Sequence, residues 1–393
     1  MPRIINGIDI GSSAIRMIVA EEKKDADGFN ILAVAKKESH GIRKGYIVNF
    51  EEAVDSVRET IRIAEKLSGI KIKSSFIAIG GISLGSVRSK GMAMVSRADN
   101  EVTDNDVKRA IDQSENNLSN LTNRKIIYQK SIAYKLDGSF VFGHPIGMKG
   151  TKLEVETIFI TCLIQHFSDF TKIAESAGIA IDDVMPSSLA ASYIVLSEKQ
   201  KEAGCILVNV GASTVSVTVF EENLPISLEV FPIGSTHITN DIALGLQIPI
   251  EEAEKLKIEY GTESSMKRKI ENIVEARLND IFELIENHLK KINKNGLLPA
   301  GIILTGGGSN LSTIEEMARV SLKLPAKIGY YRYDKEGLSI TGNQKEQILK
   351  DPSWSVALGL CAYGLKEESE NGINTTRRRA KNMLWRILKS LRI

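Results

Sequence analysis

One pattern occurs twice in this chain, about 200 residues apart. Near the start, INGIDIGSSAIRMIVAEE runs apolar strand, glycine turn, apolar strand; after a polar turn, ILAVAKKES continues as a third strand. From Cys205, CILVNVGASTVSVTVFEENLPISLEVFPIG repeats that order. Apolar runs of this length, broken by Gly, Ser, Asn and Asp, read as hairpins. The doubled unit predicts two related α/β halves, each aiming a glycine-containing turn towards a shared cleft.

The intervening segments supply helices. FEEAVDSVRETIRIAEKLSG carries Ala53, Val54, Val57, Ile61 and Ala64 on one helical face, with Gly69 as its C-cap. SSFIAIGG reads as a short buried strand. Residues 83–162 are more polar and rich in Asn and Ser; with a helix predicted over Thr103–Asn116, they read as an inserted α+β subdomain. ETIFITCLI is a strand, HFSDFTKIAESAG a helix ending at Gly178, and LAASYIVLSEKQ a further helix. Residues 250–295 are mostly helical, with Ile270, Ile273, Val274, Leu278, Ile281, Phe282 and Ile285 as their core face. AGIILTGGGSNL is a strand, a glycine triplet and a helix start. SWSVALGLCAYGL is apolar on all sides, which predicts a buried helix. The adjacent acids Asp182–Asp183 and Glu251–Glu252 read as helix-start residues. Residues 332–346 read as an exposed loop without chemistry.

Three cysteines lie far apart with no CxxC spacing, which excludes a zinc ribbon and argues against a disulfide scaffold. The five histidines (His40, His144, His166, His237, His288) share no metal-ligand spacing and read as surface or satisfied core groups. No apolar run approaches the ~18 residues of a membrane span, and the N-terminus lacks the basic-then-apolar pattern of a secretory leader. The net charge of +2 conceals an asymmetry: the first 376 residues carry −5 and the last 17 carry +7. An acidic body argues against nucleic acid as a partner and points to a localised anionic partner for the tail.

The glycine turns carry the chemistry. Asp9 ends a strand, Gly11 lets the backbone turn, and the Ser12 and Ser13 hydroxyls follow. Backbone N–H groups in such a turn form an anion nest. A carboxylate beside it suits a hydrated Mg²⁺, which needs one or two protein oxygens. Taken alone, the motif is equally an ordinary hairpin. Asn209, Gly211, Ala212, Ser213 and Thr214 form its counterpart, and Gly306, Gly307 and Gly308 permit close backbone approach by a flat group. No GxxxxGK[ST] or Rossmann pattern is present.

The joint order of these turns, at residues 9, 209 and 306, resembles the actin-like ATPase superfamily. In detail the chain resembles one of its branches, the FtsA family of bacterial cell-division proteins. INGIDIGSSAIRMIVAE looks like the first phosphate loop, MPSSLAASYIVLSE like the first connecting helix, and ILVNVGASTVSVTVFEENLPISLEVFPIGSTHITNDIALGL like the second phosphate loop with its hairpin. PIEEAEKLKIEYG is similar to the helix bordering the adenosine, GIILTGGGSNL to the adenosine loop, and SWSVALGLCAYG to the second connecting helix. The resemblance implies an α/β actin-like two-lobe ATPase fold, made of duplicated ribonuclease H-like domains. The first lobe would comprise residues 1–82, 163–203 and 345–365, with 83–162 inserted; the second lobe would comprise 204–242 and 299–344, with a helical subdomain at 243–298. A linker at 366–376 and an amphipathic helix at 377–393 would follow.

ATP and Mg²⁺ would sit between the lobes. By the resemblance Asp9 holds the hydrated metal, with Asn209 acting through water. Gly11, Ser12, Ser13, Gly211, Ala212, Ser213 and Thr214 contact the phosphates. Gly234 and Ser235 lie near ribose and phosphate, Glu254 and Lys257 at the adenosine, and Gly306, Gly307 and Gly308 under the base. Two positions depart from the superfamily pattern. Asn209 stands where many members have Asp, and Ser187 where many have Glu or Gln. Neither residue can take a proton from water as a carboxylate does, so hydrolysis is expected to be slow or absent. The alternative, a small-molecule kinase or other soluble ATPase of this superfamily, would need such a base.

RAKNMLWRILKSLRI lacks Gly and Pro. At 100° per residue, Met383, Leu384, Ile387, Leu388 and Leu391 share an apolar face of about 140°, Trp385 lies beyond its edge, and the basic residues fill the rest. That pattern describes a helix lying in a membrane interface on anionic phospholipid; docking onto the chain's own body or onto a partner protein are the other readings. The family resemblance implies the membrane. It also implies the FtsZ C-terminal peptide bound at the helical subdomain, self-assembly into filaments, further division partners, and a peripheral location on the cytoplasmic face of the cell membrane at the septum.

Overall fold

The computed structural model describes residues 3–23, 28–119, 121–259, 267–331, 339–341 and 348–371. The expected membrane helix, with Met383, Leu384, Trp385, Ile387, Leu388 and Leu391, lies outside them.

The chain opens with β1 (Ile4–Ile10), β2 (Ala14–Glu22) and β3 (Gly28–Glu38), then a short ladder of β4 (Ile42–Arg43) and β5 (Tyr46–Ile47). Helix α1 (Phe50–Ser68) follows; Asn49 caps its start by accepting from Glu52 N, and Gly69 ends it in the left-handed region. Then come β6 (Ser74–Ile79) and the insertion: β7 (Gly85–Met94), α2 (Asp104–Asn116), β8 (Arg124–Leu136), β9 (Ser139–Val141) and β10 (Lys152–Leu163). Helix α2 starts at a capping box in which Thr103 and Asp106 satisfy each other's backbone N–H groups. The chain returns through α3 (Ile164–Ser176), β11 (Ala180–Pro186), α4 (Ser187–Val195) and α5 (Glu198–Ala203).

The second half contains β12 (Cys205–Val210), β13 (Val215–Glu221), β14 (Leu224–Phe231), α6 (Ser235–Leu246), α7 (Ile250–Glu259), α8 (Lys267–Lys291), β15 (Ile302–Thr305), α9 (Ile314–Leu322) and β16 (Ala326–Ile328). It is followed by β17 (Ser339–Thr341) and α10 (Ser355–Asn371).

The duplication is explicit in the sheets. One runs β11-β6-β1-β2-β3-β17 and the other begins β16-β15-β12-β13-β14. In each, an antiparallel three-strand meander is flanked by two parallel strands, so the two halves share one topology. The second sheet continues as β7-β10-β8-β9 through a single pair, Glu229 with Gly85. Side chains of two residues also hold that junction: Ser86 Oγ donates to Leu228 O at 3.0 Å and accepts from Leu228 N at 2.8 Å, and Arg88 donates to Ile226 O.

Helix α10 packs against α4 and against β1, and both contacts depend on glycine. A Cβ on Gly359 would lie 2.0 Å from Ala190 O, and one on Gly7 would lie 2.5 Å from Ala357 O. Gly359→Ala should therefore destabilise the protein by about 1–3 kcal/mol, because backbone must move to admit the methyl. A thermal melt checks this, and an unchanged melting temperature would refute it.

Four segments differ from the sequence-based expectation. Asp182 and Asp183 sit in β11, not at a helix start, and Asp183 Oδ2 accepts from Tyr363 OH at 2.8 Å. LAASYIVLSEKQ is not one helix: it breaks after Val195, and Ser197 caps a second one with Gln200 closing the box. Ser339–Thr341 adds in parallel to β3, so the chain rejoins the first sheet earlier than residue 345 and covers an otherwise open edge. Helix α10 runs on to Asn371, through the first part of the expected linker, because Lys366–Asn371 contains good helix formers and no Gly or Pro before Gly372.

Candidate functional site

Both glycine turns and the glycine triplet line one cavity of about 490 Å³, a size suited to a small-molecule ligand. Asp9, Gly11, Ser12 and Ser13 enter from the β1–β2 turn; Asn209, Gly211, Ala212, Ser213 and Thr214 enter from β12–β13. Ser235 comes from the start of α6, Glu254 and Lys257 from α7, and Gly306, Gly307 and Gly308 from the loop after β15. Ser187, at the start of α4, also lines it. Gly234 is the one candidate outside the lining. It packs behind the second turn, where a Cβ would lie 2.6 Å from Ala212 O.

The two turns are built alike. A Cβ on Gly11 would lie 2.9 Å from Ala14 O, and one on Gly211 would lie 2.9 Å from Thr214 O. The second turn is further clamped by the first residues of α6: Ser235 N donates to Gly211 O at 3.0 Å, and Thr236 N to Ala212 O at 2.8 Å. Lys257, 7% exposed, donates to Glu254 Oε2 at 2.7 Å and to Thr239 Oγ1 at 2.8 Å. Lys257 and Glu254 are thus each other's partner, and together they fix α7 against α6.

Strand pairing adds two cations that the sequence reading missed. Asp9 pairs with Arg16 across β1–β2, and Arg16 with Lys36 across β2–β3. Paired residues share a sheet face, and all three line the cavity. The signal was present in the sequence: once the Gly11 turn fixes the register, alternation carries Arg16 to the face of Asp9. The matching row of the second half, Asn209, Ser216 and Val230, is uncharged. Arg16 rests over the Trp354 ring at 5.9 Å. Burial pushes the Asp9 carboxyl up to about 6, with Arg16 pulling the other way.

The donor set fits a polyphosphate with a hydrated divalent cation. Among the described residues, the buried Ser213 Oγ has no hydrogen-bond partner, and neither has Arg16 Nε; a phosphate oxygen would satisfy either. Asp9 offers the single carboxylate that a largely hydrated Mg²⁺ requires. Among the described residues, no three His, Cys, Asp or Glu gather into a metal cluster, and no helix is long and apolar enough to cross a membrane.

The sequence profile described as cell division protein FtsA matches residues 206–359, and that of the SHS2 domain inserted in FtsA matches residues 81–161. Cell division protein FtsA of Pseudomonas aeruginosa is 29% identical over 390 residues, covering 94% of this chain and 91% of that protein. This chain belongs to the FtsA family. Among solved structures, the PilM–PilN type IV pilus biogenesis complex aligns at a TM-score of 0.66 and 15% identity, covering 92% of this chain and 98% of the other. MreB5 of Spiroplasma citri bound to ADP aligns at 0.54 and 12%, covering 94% and 99%. These establish the actin-like fold, and the FtsA family makes this an actin-like cell-division protein.

Proposed function

We propose that this FtsA-family chain binds ATP with Mg²⁺ in the cavity, assembles into filaments, and tethers FtsZ to the cytoplasmic face of the membrane at the septum. The observation that carries the nucleotide reading is the convergence of two like-built glycine turns and the Gly306–Gly308 loop on one cavity, with the Ser213 Oγ of its lining unpartnered among the described residues. In this reading Asp9 holds the hydrated metal, with Asn209 assisting through water. Ser12, Ser13, Ser213, Thr214 and the turn N–H groups hold phosphate, and Arg16 and Lys36 answer its charge. Ser235, Glu254 and Lys257 border the nucleoside, and Gly306–Gly308 lie under the base. Bound Mg²⁺ would neutralise phosphate charge. The FtsZ C-terminal peptide would dock on the helical subdomain at residues 243–298, and residues 377–393 would lie on anionic phospholipid. Self-assembly multiplies these weak helix contacts into stable attachment.

Asn209 and Ser187 occupy the positions from which an attacking water would be managed, and neither is a carboxylate. Wild type should bind Mg·ATP in titration calorimetry yet release phosphate slowly. Asn209→Asp should release it faster, on the order of 100-fold, if a well-placed carboxylate restores general-base assistance. Absence of ATP binding, or fast turnover by wild type, would overturn this reading.

A further inference from the structure

His166 lies on α3, directly behind the cavity lining, and is 2% exposed. Its Nε2–H donates to Gly45 O at 2.8 Å, an atom that can only accept. Its Nδ1 faces Ser83 Oγ within hydrogen-bond distance. Burial lowers the imidazole's affinity for a second proton, so the ring is neutral and accepts the Ser83 proton. Tyr46 stacks on the ring at 4.8 Å, and Phe170 meets it edge-on at 5.0 Å.

The groups that His166 holds lead in two directions. Gly45 N donates to Ser12 Oγ at 3.1 Å, and Ser12 lies in the first glycine turn. With its oxygen accepting from Gly45, the Ser12 hydroxyl proton is left for a ligand. On the other side, Ser83 O accepts from Arg124 Nη2 at 2.7 Å, and Arg124 Nε donates to Thr161 Oγ1 at 2.8 Å, both inside the insertion. The packing leaves little slack: a Cβ on Gly45 would lie 2.2 Å from Gly81 Cα, and one on Gly81 would lie 2.9 Å from His166 Cε1. Gly45, Gly80 and Gly81 all line the cavity.

We infer that His166 is a positioning residue: it seats Gly45 so that Ser12 presents its hydroxyl to the terminal phosphates, and it ties that seat, through Ser83 and Arg124, to the inserted subdomain. A ligand that engages Ser12 therefore reads the placement of the insertion. The inference rests on the nucleotide reading above, and its test separates the two.

Affinities for Mg·ATP and for AMP are measured by titration calorimetry on the full chain. His166→Phe keeps the ring stacking but neither hydrogen bond. It should weaken ATP by about tenfold, the size of one hydrogen bond to a charged group, and leave AMP unchanged. His166→Gln can still donate to Gly45 O and should recover most of the loss. Ser83→Ala, which leaves His166 in place should His166→Phe fail to fold, should weaken ATP by about threefold without affecting AMP. An unchanged ATP affinity in His166→Phe, or equal losses for ATP and AMP, would overturn the positioning role. So would a His166→Gln variant as impaired as His166→Phe. Wild type binding neither nucleotide would defeat the underlying reading instead.

Discussion

Asp9→Asn will make the ligand-free protein more stable and, at the same time, a poorer binder of Mg·ATP. The carboxyl is lifted to about 6 from its ordinary value near 3.8 because burial penalises its charged form. Between those two values the folded state binds a proton that the unfolded chain has released. Asp9 therefore favours folding at acidic pH, and that contribution is lost as pH rises through about 6. At pH 7.5 the charge is a cost that an amide of the same shape does not carry. The melting temperature of Asp9→Asn should lie a few degrees above wild type at pH 7.5, and the two curves should meet below pH 4. The same substitution removes the anchor of a hydrated cation and should cost on the order of 100-fold in Mg·ATP affinity. Wild-type affinity should likewise fall more steeply than that of Asp9→Asn as pH drops below about 6, the part common to both proteins coming from protonation of the terminal phosphate of ATP. Calorimetry at pH 5.5 and 7.5 with melts on both proteins decides it; a variant that melts lower at pH 7.5, or binds Mg·ATP as well as wild type, would sink the assignment.

The cavity was legible where its chemistry is local. Gly11, Ser12, Ser13 and their counterparts at 211–214 announce themselves because a turn needs glycine and small hydroxyl residues within four positions. Arg16 and Lys36 were not seen because their place depends on cross-strand register, a relation between segments and not within one. The same limit hid the Lys257–Glu254 pairing with Thr239, which depends on how the consecutive helices α6 and α7 pack, and the seat of His166, which joins residues 121 positions apart. The helix break at Leu196–Ser197 is hidden for the opposite reason: the apolar pattern runs straight through, and only the capping box at Ser197 and Gln200 marks the restart. Asp182 and Asp183 suit a helix start by charge alone, but β11 pairs with β6, and tertiary pairing overrides that preference. The doubled hairpin survives all of this, because two copies of one pattern constrain a fold more than any single element does.

Removing residues 377–393 should abolish co-sedimentation with anionic vesicles. This segment holds seven basic residues and no acid, against an acidic remainder of the chain. As a helix it would present Met383, Leu384, Ile387, Leu388 and Leu391 along one side, with Trp385 at the margin, where an amphipathic ring sits at headgroup depth. Each cation near an anionic surface contributes ~1 kcal/mol, and that attraction is screened by salt. Wild type should therefore pellet with phosphatidylglycerol-containing vesicles at low salt, less at 0.5 M salt, and poorly with neutral vesicles. Leu384→Glu and Leu388→Glu together should release it while leaving Mg·ATP affinity intact, since the cavity is lined entirely by residues before 357. Attachment should also steepen with protein concentration, because a filament offers many weak helices and each later contact is effectively intramolecular. Equal pelleting of full-length and truncated proteins would place the lipid contact elsewhere. Loss of pelleting without any salt dependence would leave the apolar face as the whole of the attraction and remove the charge from the account.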